Sequence, residues 1–171
     1  MIAILRITIS ILYIILIGLT PSLADESLEV PNLRHPLPNV STGGQPSLED
    51  IGKLKSMGYS VVVNLRGEGE FDDFDEEKAV EGAGLKYINI PFQGMRGLTP
   101  ENAKTLHDLI EGADGKVLLH CTIGMRAGSL LGVEKYLFGN LTKKEALELA
   151  TQAHMSNLED YLLGALENIT N

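Results

Sequence analysis

Residues 60–65 read Ser-Val-Val-Val-Asn-Leu, a continuous run rich in β-branched residues with a glycine on either flank. An apolar run of that length is a strand covered on both faces, and covering both faces takes helices above and below a sheet. Two further runs, 86–91 (Lys-Tyr-Ile-Asn-Ile-Pro) and 117–120 (Val-Leu-Leu-His), share its character. Helical signals fall between them. Ser47 with Asp50, and Thr142 with Glu145, have the spacing of a capping box. Thr99-Pro100-Glu101 combines a cap, a proline at the first helical position and an acid behind it. The expected helices run from Ser47 to Gly58, from Asp75 to Ala83, from Thr99 to about Glu111, from Arg126 to Phe138, from Thr142, and from Asn157 to Ile169. Strands alternating with helices make this an α/β chain with a mainly parallel central sheet flanked by helices, the helix-rich tail covering one face. Residues 40–44 form a short strand or hairpin edge, and residues 25–38, rich in proline, an extended lead-in.

Residues 1–24 are of another kind. A single positive charge, Arg6, precedes the apolar run 7–19, and Pro21-Ser-Leu-Ala24 closes in a small-x-small pattern. That is the form of a signal peptide cleaved after Ala24, with a retained membrane anchor as the alternative. The expected organisation is therefore an exported, periplasmic or secreted domain over residues 25–171, with membrane contact only if the apolar segment is kept. The whole chain carries 14 Lys+Arg against 23 Asp+Glu, net −9; without Arg6 the balance is 13 against 23, net −10. So acidic a body excludes nucleic acid as a partner and obliges any anionic ligand to rely on local positive groups.

The chain has one cysteine, so an exported form has no internal disulfide. Cys121 follows the apolar run 117–120 and precedes Thr122-Ile-Gly-Met-Arg126, then a helix. This order sets a thiol beside His120, at the carboxyl end of a strand and the amino end of a helix. Outward N–H groups there stabilise a thiolate and any oxyanion it attacks. Gly124 lets the backbone turn so that several amides converge. Arg126 brings a fork of donors suited to phosphate. The candidate catalytic residues are Cys121, Arg126 and His120. The candidate anion-binding positions are Thr122, Ile123, Gly124, Met125 and Ala127, with Arg66 at the pocket rim because it directly follows a strand. His35, His107 and His154 show no metal-ligand spacing, and neither a metal nor a cofactor is expected.

His120-Cys121-x-x-Gly124-x-Arg126 resembles the phosphate-binding loop of the protein tyrosine phosphatase superfamily. Gly43-Gly-Gln-Pro-Ser47, Val61-Val-Val-Asn-Leu-Arg66, Tyr87-Ile-Asn-Ile-Pro91 and Val117-Leu-Leu-His-Cys121 fall in order. Together they resemble the dual-specificity-phosphatase-like domain of bacterial beta-lactamase-hydrolase-like proteins. The resemblance implies a tyrosine-phosphatase-like fold and hydrolysis of phosphate monoesters through a phosphocysteine. The partner it implies is a phosphorylated protein or a small phosphoester. Three departures stand beside it. Four residues, not five, separate Cys121 from Arg126, as is also common in the bacterial family. Ala127 replaces the usual Ser or Thr, with Ser129 two positions late. No Asp occupies the loop after the Ile-Pro strand, where 92–97 read Phe-Gln-Gly-Met-Arg-Gly. Glu68, Glu70, Asp72, Asp73 and Glu101 are the available acids, although the first four read more simply as a solvated charge cluster. Rhodanese-like sulfurtransferases also have a shorter loop, which keeps a Cys121 persulfide open as an alternative, alongside a non-catalytic phosphate-binding module.

Overall fold

The computed structural model describes residues 27–70, 73–91, 96–155 and 159–170. Five strands and six helices follow in order: β1 Arg34–Leu37, β2 Val40–Gly43, α1 Leu48–Leu54, β3 Tyr59–Asn64, α2 Glu76–Gly82, β4 Lys86–Asn89, α3 Pro100–Glu111, β5 Lys116–His120, α4 Met125–Phe138, α5 Lys143–Gln152 and α6 Glu159–Thr170. The leader read in residues 1–24 lies outside the described residues.

The sheet order is β1-β2-β5-β3-β4. β5 is central: its residues 117–120 pair in parallel with Val40–Gly43 on one side and with β3 on the other. β4 is parallel to β3, and only β1 is antiparallel. β1 lies within the stretch expected to be a mere lead-in. Its Pro36 cannot donate to a ladder, and an edge strand is where that does no harm.

The valine run is buried on both faces because its side chains alternate between two cores. Val62 and Leu118 are enclosed with Ile51, Leu54, Val80 and Leu85 beneath α1 and α2. Val61, Val63, Val117 and Leu119 point the other way, into the larger core with Ala103 and Leu106 of α3, Leu130 and Leu131 of α4, and Leu162 and Leu166 of α6. The helix starts are capped as their sequences imply. Ser47 and Thr142 close full capping boxes with Asp50 and Glu145, and Thr99 caps α3 ahead of Pro100. α1 stops at Leu54, earlier than expected. The chain then turns to Gly58 at φ 84°, and Leu48 is left exposed.

Candidate active site

β5 delivers its last residues to the carboxyl edge of the sheet, where an open α/β fold collects its ligands. There the chain leaves the ladder, makes a four-residue loop and enters α4. Three backbone contacts with the end of β2 and the segment after it hold this loop. Cys121 N–H donates to Gly43 O (3.3 Å), Gln45 N–H donates to Thr122 O (3.2 Å), and Ile123 bridges Gly44. Asn32 adds a side-chain amide donated to Ile123 O at 3.0 Å. Gly44 is required for this approach, since a Cβ there would stand 2.8 Å from Thr122 O. Gly124, the N-cap of α4, has φ 98°, a left-handed conformation that other residues adopt at a cost.

This geometry turns the amide of the N-cap residue toward the cysteine. Gly124 N–H donates to Cys121 Sγ at 3.1 Å, and the residue is 1% exposed. Arg126 folds back from the first turn of α4. Its Nη1 donates to Leu65 O (3.1 Å) and to Glu70 Oε1 (2.8 Å), its Nη2 to Glu70 Oε2 (2.5 Å) and to Thr122 Oγ1 (3.1 Å). Thr122 Oγ1 in turn donates to Glu70 Oε2 at 3.2 Å. The Arg126 guanidinium holds the Glu70 carboxyl down at about 2. Burial opposes that shift, while the Gly67 amide and Thr122 add to it. Burial works against the charge of Arg126 but is outweighed by Glu70 and Cys121, so its pKa is raised.

Glu70 therefore departs from the solvated cluster expected of its loop. Glu68 and Asp73 line other clefts, and Glu101 borders a groove between α3 and α6. Asp72 and residues 92–95 of the Phe92–Gly97 loop lie outside the described residues. Thr122 and Ile123 are exposed at the loop, Met125 is half-buried and Ala127 is fully enclosed. Ser129 donates its hydroxyl to Met125 O (3.0 Å), so it is committed to its own helix rather than to the thiol.

His120 is fully buried. Its Nδ1 lies 3.4 Å from Cys121 O, and its Nε2 lies 3.0 Å from Glu76 Oε1, out of line for a straight hydrogen bond but within ion-pair reach. Arg66, expected as a free cation at the pocket rim, is committed to a carboxylate instead. It is 6% exposed, with Nη2 2.6 Å from Glu76 Oε2 and Nε donating to Asn64 Oδ1 at 3.2 Å. Glu76 gathers both, and also accepts from Gln45 Nε2 (3.0 Å) and Asn64 Nδ2 (2.9 Å). Burial penalises this carboxylate, but His120, Arg66 and Gln45 outweigh the penalty and lower its pKa. Sequence reasoning missed Glu76 altogether. The signal was Asn64, a polar residue inside a buried strand, which requires a polar partner. Among the described residues, no group of three or more potential metal ligands comes together, and no helix is long and apolar enough to cross a membrane.

A parallel sheet whose central strand runs into a cysteine loop, closed by an arginine from the next helix, defines the tyrosine and dual-specificity phosphatase class of fold. Solved structures agree. The Shewanella putrefaciens CN-32 DUF442 protein superposes with a TM-score of 0.67 at 23% identity, covering 82% of this chain and 89% of its own. Tk-PTP in its active form gives 0.64 at 18% (81% and 97%), and P. aeruginosa TpbA in complex with pTyr gives 0.60 at 17% (82% and 91%). The particular family is set by residues 32–137: the chain belongs to the phosphatase-like domain family of beta-lactamase hydrolase-like proteins. A beta-lactamase hydrolase-like protein of Xylella fastidiosa (strain Temecula1) is 29% identical over 119 residues, and that of Agrobacterium fabrum 27% identical over 110. These stretches cover 67% and 62% of this chain but only 27% and 25% of the relatives, so the match spans about a quarter of their length.

Proposed function

We propose that this domain is a cysteine-dependent phosphatase acting on phosphate monoesters, aryl esters above all. The observation that carries the reading is the Cys121 thiol held by the Gly124 amide at the N-cap of α4, with Arg126 closing the same loop. A thiolate is the nucleophile such a seat favours. The Cys121 sulfur attacks phosphorus, the S–P bond forms, and the bond to the ester oxygen breaks. Arg126 and the loop amides hold the oxygens on which charge develops. Water then cleaves the S–P bond, releasing phosphate and the thiolate. His120 supports the loop through the Cys121 carbonyl and is itself held by Glu76. Glu70, ionised as it sits, is no proton donor in this position, and Ala127 offers no hydroxyl to the departing thiolate. Both features favour substrates whose leaving oxygen needs little protonation, which an aryl ester satisfies and an alkyl ester does not.

The test is one panel on wild type and Cys121→Ser, with an aryl phosphate and with thiosulfate plus cyanide. Phosphate release that vanishes in the variant is the expected result. Thiosulfate turnover with phosphatase activity at background would instead assign the site to sulfur transfer, the reading the four-residue loop also fits. The leader pattern of residues 1–24 supports export, and a mature protein isolated from the host should begin at Asp25.

A further inference from the structure

We propose that Glu70 is a resident competitor for the anion seat of Arg126, and so a specificity-determining residue that admits dianions over monoanions. The proposal rests on the anion-binding part of the reading above and needs no turnover. A guanidinium has five N–H donors, four of them on the terminal nitrogens. In Arg126 the two on Nη1 meet Leu65 O and Glu70 Oε1, and the two on Nη2 meet Glu70 Oε2 and Thr122 Oγ1. Every terminal donor thus has a protein acceptor. An anion gripped by two of these donors must displace at least one acceptor, and the Glu70 carboxylate holds both nitrogens at once.

Charge decides which acceptor leaves. Arg66 and Arg126 are each matched by a carboxylate, Arg66 by Glu76 and Arg126 by Glu70. The neighbourhood therefore holds no spare positive charge. A phosphate dianion brought in beside Glu70 meets a like charge already on the arginine; one that replaces Glu70 removes that like charge. A monoanion that replaces Glu70 exchanges one charge for another and gains nothing by it. The contact is also accessible. The Glu70 side chain is 29% exposed, and among the described residues its further ties beyond Arg126 are to the Gly67 amide and the Thr122 hydroxyl. Its loop contains Gly69 at φ 75°.

The experiment is calorimetric binding of tungstate, inorganic phosphate and acetate to Cys121→Ser protein carrying Glu70, Glu70→Gln or Glu70→Ala, at fixed ionic strength. Glu70→Gln keeps the shape of the side chain and guards against a folding loss in Glu70→Ala; thermal melts verify both. The expected result is that both variants bind phosphate and tungstate up to about fivefold more tightly. Their preference for phosphate over acetate should shrink, because acetate no longer faces a resident carboxylate. Unchanged or weaker oxyanion binding in Glu70→Gln overturns the proposal while leaving the phosphatase reading intact. Absence of oxyanion binding in all three proteins overturns both.

Discussion

Glu76 makes the sharpest test of how this site is supported. Its carboxylate is buried and accepts from Arg66 (2.6 Å), Asn64 (2.9 Å) and Gln45 (3.0 Å), with His120 Nε2 at 3.0 Å. Glu76→Ala removes the counter-charge of a guanidinium that is 6% exposed and strands the polar edge of a histidine that is fully enclosed. Breaking a buried pair on one side costs about 3–5 kcal/mol, because the remaining charge stays desolvated. That is a large part of the roughly 5–15 kcal/mol that holds a domain folded. At about 2–4 °C per kcal/mol for a domain of this size, the melting temperature should fall by about 6–20 °C. Urea titration should show the same loss as a midpoint displaced by about 2 M, for a slope of about 2 kcal/mol per M. Arg66→Ala, which strands Glu76, should destabilise in the same way and leave KM for an aryl phosphate unchanged in the protein that remains folded. A Glu76→Ala loss under about 1 kcal/mol, or an Arg66→Ala variant with normal melting and a raised KM, would refute the assignment of Arg66 to the scaffold.

Three further outcomes follow from the same geometry. Gly124→Ala imposes a left-handed φ on an alanine, about 1–2 kcal/mol, and sets its Cβ 3.2 Å from the Gly43 backbone; stability should drop by about that amount, and aryl phosphate turnover by tenfold or more, since the Gly124 amide that meets the thiol moves with it. Glu70 and Glu76 both titrate below the ordinary 4.5, Glu70 at about 2. Their stabilisation is therefore complete above pH 4.5 and is lost as the pH falls through the folded values, so melts should decline between about pH 4.5 and 2, with a shallower decline in Glu70→Gln. Finally, turnover should depend steeply on the leaving group: with acid assistance worth about 10²–10⁴-fold, alkyl phosphates should lag activated aryl phosphates by at least that range, and a flat series would show that a proton donor acts after all.

What was legible in the chain was what short stretches decide alone. The two capping boxes and the Thr99-Pro100 start are local chemistry, and each appears as read. The valine run announced a doubly covered strand, and the cysteine loop carried its helix and arginine in one contiguous segment. Arg66 shows where this stops. Following a strand, it read as a rim cation, but its partner arises ten residues later within Asp75-Glu76-Glu77, where helical phase alone buries the middle acid and leaves its neighbours exposed. The same holds for Glu70, whose partner is fifty-six positions distant. Asn32 reaches Ile123 across ninety-one. Such pairings depend on how the sheet brings loops together, and no periodicity encodes them.

The two arginine pairs, similar in chemistry, have opposite consequences because their surroundings differ. Side-chain exposure is 5% and 3% for Arg66 and Glu76, against 12% and 29% for Arg126 and Glu70. Separating the first pair would leave charges with no solvent to receive them, so it is permanent scaffold that fixes His120 beside Cys121. In the second pair, the carboxylate has water on one side. Exposed pairs of this kind contribute little net energy, so a better-charged competitor can take the arginine. A permanent ion pair keeps the loop in shape, and an exchangeable one keeps its arginine placed until an anion arrives. The division also explains how a chain of net charge −9 holds a usable cation at all: of these two arginines, the one whose partner can leave is available to a ligand.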